Sequence, residues 1–149
     1  MEIVECAGDV LSDLREFLSA ADLTLSGLGA PGVRLWVALD EGDRIIGSTG
    51  FELSDDGRHA LIRSVAVDPA HRSRGMGGDL ARFALARATD AGARTAWLFS
   101  RRSGPFWRSL GFSPAERDTL AEVLADTQQV RLFQRTAQLA TEIAWSRTL

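Results

Sequence analysis

The residues best suited to chemistry form one run, Arg72-Ser73-Arg74-Gly75-Met76-Gly77-Gly78, between a strand-like segment (His59 to Val67) and a helix-like one (Asp79 to Ala91). Three glycines within four residues let the backbone turn tightly and approach a ligand closely. The free N–H groups that open the following helix then point outward, and with the helix dipole they form a site for a pyrophosphate. Arg72 and Arg74 add positive charge to it. The plain alternative is a glycine-rich turn with two solvated arginines, and a lone short motif usually is that. The run is neither GxxxxGK[ST] nor a GxGxxG after the first strand of a parallel sheet, so it is not a Walker loop or a dinucleotide fingerprint.

Composition narrows the chemistry further. The chain has 149 residues, 45% of them apolar and 25% charged, with 17 basic side chains against 20 acidic ones, which predicts one soluble globular domain over residues 1–149. Every basic residue is arginine and there is no tyrosine. Lysine Schiff-base chemistry and a phenolic general acid are therefore excluded. The mildly acidic balance, with arginines interspersed among Asp and Glu, argues against nucleic acid. No apolar run approaches the roughly 20 residues of a membrane span, and the N-terminus lacks a secretory pattern. The lone Cys6 fits a reducing compartment, so a cytoplasmic protein is expected. One cysteine with His59 and His71 predicts no metal site.

The elements that must hold the glycine run follow from periodicity. Asp9 to Ala21 has helical spacing with Asp9 as N-cap, and Leu23 to Gly32 reads as a connector, a short helix or a substrate-side loop. Val33 to Leu39, Arg44 to Leu53 and His59 to Val67 read as strands joined by turns at 41–43 and 54–57, an antiparallel meander. The helix after the glycines leads to a strand, Arg94 to Ser100, which a crossover can place parallel to His59–Val67. Ser103-Gly104-Pro105 starts a short helix that Leu110-Gly111-Phe112 ends. Asp118 to Phe133 has helical spacing, and Leu139 to Trp145 is a last strand candidate.

This order, with a strand ending Val65-Ala66-Val67-Asp68-Pro69 and then Arg72-x-x-Gly75-x-Gly77, resembles the acetyl-CoA-binding core of the GNAT family of N-acetyltransferases, whose signature is Q/R-x-x-G-x-G/A. Phe106-Trp107-Arg108-Ser109-Leu110-Gly111-Phe112 is similar to the family's FYxxLGF-like segment, so the resemblance spans roughly residues 1 to 117. It implies an α/β (α+β) fold: a mixed central sheet with antiparallel N-terminal strands, a splayed parallel pair in the middle, and helices on both faces. It implies acetyl-CoA as cosubstrate and direct attack by a neutral amine, with no covalent enzyme intermediate. Pantetheine then lies in the splay. Backbone groups of Val65, Ala66 and Val67 pair with it, Arg72, Ser73, Arg74, Gly75, Met76, Gly77 and Gly78 hold the pyrophosphate, and Ser100, Phe106 and Trp107 border the cofactor. A backbone donor aimed at the developing oxyanion is worth roughly 3 kcal/mol.

The catalytic acid and base do not follow the family. Trp107 stands where many members carry the tyrosine that protonates the leaving thiolate, and indole is too weak an acid. Ser103, Ser100, a water or simple thiolate release is left for that role. Where many members use a glutamate as base, Glu52 and His59 are the candidates here, each acting through a water; the plain readings are a solvated strand end and a surface turn residue. Arg63 sits among Leu61, Ile62 and Val65 in the expected central strand, and a buried arginine needs an anion. It either grips a carboxylate, phosphinate or arsenate-like group of the substrate, or pairs internally with Glu52 or Asp22.

Leu61 to Val67, Gly104 to Trp107 and the tail Thr127 to Phe133 are similar to the acetyltransferases of arsenic-resistance operons, though Thr136-Ala137 replaces the Cys-Pro pair associated with that subgroup. That resemblance implies an amino-acid-like acceptor such as phosphinothricin or its arsenic analogue. A small-molecule amine is the expected substrate; acetylation of a peptide or protein N-terminus and a non-catalytic acyl-CoA-binding regulatory module are the alternatives. The Leu139–Trp145 strand either pairs two copies as a homodimer or completes the monomer's own sheet.

Overall fold

Seven strands lie in one sheet in the order β1-β2-β3-β4-β5-β7-β6. The computed structural model describes all residues except Met1, Asp22, Thr24 and Ser26, and describes Ser73 and Arg74 by their backbone alone. β2 (Val33–Leu39), β3 (Ile45–Leu53) and β4 (His59–Val67) form the expected antiparallel meander. β1 (Glu2–Glu5) adds an outer strand that its four residues were too few to announce. β5 (Thr95–Phe99) runs parallel to β4, as expected. β7 (Ala144–Thr148) pairs with β5 on one side and with β6 (Ser113–Ala115) on the other.

Side chains alternate across a strand, so neighbouring residues report opposite faces. Leu35 and Val37 of β2 pack with Leu14 and Leu18 of α1 (Val10–Ala20). Leu61 of β4 and Trp97 of β5 pack with Leu120 of α4 (Arg117–Val123) and Val130 of α5 (Gln128–Arg135). Their neighbours Trp36, Ile62, Ala96 and Leu98 face the other way, against Ala81, Ala84 and Ala88 of α2 (Met76–Asp90) and Trp107 of α3 (Gly104–Ser109). Helices thus cover both faces. Leu14 is fully buried, so Leu14→Ala is expected to cost about 3 kcal/mol in a urea denaturation curve and to leave ligand affinity unchanged.

Two expected elements differ. The helix anticipated over 118–133 is two helices, because Thr127 N-caps α5, its Oγ1 accepting from Val130 N at 3.4 Å. The last strand begins at Ala144 instead of Leu139, since Gln138–Thr141 forms a 3-10 turn first. That strand lies inside the sheet and completes it, which removes the free edge on which pairing of two copies was argued. In the Leu23–Gly32 connector the described residues show a turn, with Ala30 N–H donating to Gly27 O at 2.9 Å, and no helix. No described helix is long and apolar enough to cross a membrane.

Candidate active site

β4 and β5 touch only at their first residues: His59 faces Thr95, Ala60 faces Ala96, and Leu61 faces Trp97. Beyond Trp97, β5 stays with β7 while β4 runs on to Val67, so the sheet opens as a wedge. A bulge re-aims β4 at that point. Gly50 pairs with Arg63 and Ser48 with Ala66, which sets Ser64 and Val65 opposite Thr49 alone. Ser64 carries φ +60°, a left-handed position that glycine usually holds, and it is pinned by Ser48 Oγ donating to its carbonyl at 2.6 Å. The wedge is the floor of a cleft of about 890 Å³ bordered by Val65, Ala66 and Val67 on one side and by Leu98 to Ser103 on the other. An open sheet edge of this kind offers backbone donors and acceptors to an extended chain carrying amides.

At one end of the cleft lies the glycine run. Asp68 caps a 3-10 turn, Pro69–Arg74, accepting from Ala70 N at 3.3 Å, and Gly75 then reverses the chain at φ +74° into α2. The helix therefore starts at Met76, three residues before the periodicity suggested. Met76, Gly77 and Gly78 form its first turn, whose N–H groups have no intrahelical acceptor. Gly77 borders the cleft, and a Cβ there would stand 3.6 Å from Phe106 and 3.7 Å from Val67, ordinary contacts. What glycine preserves at that position is open approach to the N–H groups. Met76 contributes backbone only, because its side chain is packed with Ala38, Ile46 and Leu80. Arg72 borders the cleft and is anchored by Nε donating to Val67 O at 3.2 Å. The side chains of Ser73 and Arg74 lie outside the described set.

At the other end stands Arg63, 3% exposed, with Nη1 3.0 Å from Glu52 Oε2 and Nε donating to Ser64 Oγ at 3.2 Å. Gly50 and Glu52 lie two residues apart on β3 opposite Arg63 and Leu61, so the two charges share the face covered by α5. Glu52 also accepts from Gln128 N at 2.7 Å and Gln129 N at 3.3 Å, closing the first turn of α5. Burial pulls the Arg63 guanidinium below its ordinary value, and the adjacent Glu52 carboxylate acts against that shift. Arg63 still borders the cleft, and its Nη2, buried, has no acceptor among the described residues. The internal pair with Glu52 is thus present through one nitrogen, while the other, at the cleft, has no acceptor among the described residues. Asp22, the other suggested partner, lies outside the described residues.

The remaining candidates separate. Glu52 is not a solvated strand end but a buried carboxylate with both oxygens engaged, and it does not border the cleft. His59 stands at the closed end of the wedge, Nδ1 accepting from Trp97 Nε1 at 3.0 Å, also away from the cleft. Ser100 and Ser103 do border it, with Ser103 N–H donating to Ser100 Oγ at 3.1 Å. Phe106 and Trp107 line it too, and Trp107 packs edge-on to Phe106 and Phe112. That packing role predicts that Trp107→Phe keeps kcat within about threefold while costing about 1 kcal/mol of stability, read from initial rates and thermal unfolding. Gln129 and Glu142 also border the cleft and were not singled out from the sequence, although Gln129 lies in the tail segment that resembled a subgroup.

A family model described as "Acetyltransferase (GNAT) family" matches residues 6–112. The chain belongs to the GNAT acetyltransferases. Solved structures agree on the fold. An acetyltransferase of the GNAT family from Staphylococcus aureus superposes with a TM-score of 0.76 at 15% identity, covering 99% of this chain and 98% of that one. Rv2747 from Mycobacterium tuberculosis, in complex with CoA, gives 0.77 at 16%, covering 100% and 99%. Tetrahymena GCN5 gives 0.75 at 13%, covering 99% and 96%. No curated protein matches the sequence significantly. As a GNAT enzyme the chain is an acyltransferase that takes acetyl-CoA as its cosubstrate. Its own features fit that donor: an open β4 edge for the pantetheine amides, and free N–H groups with Arg72 for the pyrophosphate.

Proposed function

We propose that this GNAT enzyme acetylates the amine of a small amino-acid-like compound, such as phosphinothricin or its arsenic analogue, by direct attack on acetyl-CoA. The observation that carries the reading is Nη2 of Arg63 at the cleft, which has no acceptor among the described residues. A buried guanidinium nitrogen without an acceptor is costly, and an anionic group on the acceptor satisfies it. Glu52 holds the fork rigid, so little entropy is lost on binding.

The cleft is also lined by Leu23, Leu25, Leu132 and Phe133, apolar walls for a short side chain. No tyrosine exists to protonate the leaving thiolate, and Ser100 and Ser103 are hydroxyls on hand at the cleft. The test is incubation with acetyl-CoA and a panel of free amino acids that includes phosphinothricin, with N-acetyl products read by mass spectrometry. Acetylation of at least one carboxylate-bearing amine is expected; products from simple amines alone contradict the reading.

A further inference from the structure

The cleft holds three buried polar atoms without hydrogen-bond partners among the described residues: Arg63 Nη2, Gln129 Oε1 and Glu142 Oε2. Their residues are 3%, 9% and 7% exposed, and all three border the same cleft. One is a cationic donor and two are acceptors, one of them charged. We infer that this set reads a zwitterion, with Arg63 taking the carboxylate, Gln129 and Glu142 taking the ammonium, and Glu142 serving as the general base. The inference rests on the acetyltransferase reading and deepens it.

Glu142 is placed by the fold for that work. It follows the Gln138–Thr141 turn and precedes Ile143, whose carbonyl accepts the N–H of Ser100 at 2.9 Å. That bond ties the segment to the end of β5, where the sheet parts and the thioester must lie. Arg101 Nε stands 3.0 Å from Glu142 Oε2 as an ion pair, without the alignment of a hydrogen bond, so the oxygen keeps its acceptor capacity. The other charged groups around it are Arg117 of α4, whose Nη1 bonds the Glu142 carbonyl at 3.2 Å, and Arg63 at the same cleft. Glu52, by contrast, has no oxygen to spare.

The step balances as follows. The acceptor enters as R–NH3+, and one proton passes to the Glu142 carboxylate. The freed nitrogen lone pair forms the C–N bond to the thioester carbonyl carbon, and the C–S bond breaks with its electron pair on sulfur. The second surplus proton of the nitrogen ends on that sulfur as CoA–SH. Glu142 then returns its proton to solvent, leaving the N-acetyl compound.

The test uses the amino acid of highest kcat/KM for thiol release from acetyl-CoA, chosen from the protein amino acids and phosphinothricin, with its α-hydroxy acid as the partner lacking an ammonium. Around neutral pH the wild type is expected to show a level kcat/KM. Glu142→Gln should fall about 100-fold and gain a tenfold rise per pH unit, because the amine must then arrive already neutral. Glu142→Asp should restore the level profile in part. In calorimetric titrations of the CoA-saturated protein, Glu142→Gln should weaken the amino acid at least tenfold and leave the hydroxy acid unchanged. Arg101→Gln should keep the level profile and the preference for the amino acid. If Arg101→Gln instead copies Glu142→Gln in both readouts, Glu142 merely holds Arg101 and the inference is overturned. It is equally overturned if no amino acid releases thiol from a protein that binds acetyl-CoA; failure to bind acetyl-CoA strikes the acetyltransferase reading itself.

Discussion

Gly77→Asp is expected to fold normally and to weaken acetyl-CoA binding well over tenfold in a calorimetric titration. The folding half follows from geometry: the added Cβ meets Phe106 and Val67 at ordinary distances, and Gly77 does not need a left-handed backbone. Gly75, at φ +74°, does, so a substitution there would mix strain with charge. An aspartate in the first turn of α2 also favours the helix, since its charge opposes the positive end of the dipole. That same charge repels a pyrophosphate seeking the same N–H groups. Unchanged affinity in a folded Gly77→Asp protein would remove the phosphate site from the glycine run.

Arg63→Met is the second large effect, and it has two parts. Removing the guanidinium leaves the Glu52 carboxylate buried with only the amides of Gln128 and Gln129, a loss of about 3 kcal/mol in denaturant unfolding. For a carboxylate-bearing acceptor, loss of a charged hydrogen bond should cut kcat/KM about 100-fold with the acetyl-CoA affinity unmoved. Glu52→Gln separates the two. It breaks the same ion pair and costs similar stability, but it leaves Nη2 at the cleft, so its acceptor kinetics should stay much closer to wild type. Equal kinetic losses in both variants would make Arg63 a structural residue alone.

The glycine run was legible because it is written in local sequence, whereas the splay of β4 from β5 followed only from the resemblance to the GNAT family. The strands 33–39 and 59–67 are short aliphatic-rich runs that end near turn residues, and their observed bounds match the pattern. A buried cation in a central strand also announced its need for a partner, and Glu52 was among the named choices. Helix continuity through 124–127 was not legible, because the break depends on Thr127 and on Glu52 capping α5 from a distant strand. Glu52 itself was misjudged for that reason: its sequence neighbours Asp55 and Asp56 suggested solvent, while its true environment is the end of a helix 76 residues away. Gln129 and Glu142 were invisible as site residues. Only the return of β7 between β5 and β6, and of α5 over β4, carries the tail to the cleft.

The most direct test is the ratio of kcat/KM for an α-amino acid to that for its decarboxylated amine, measured as free thiol released from acetyl-CoA. The zwitterion-reading cleft predicts a ratio of about 100 or more in the wild type, collapsing toward one in Arg63→Met. A wild-type ratio near one would contradict it.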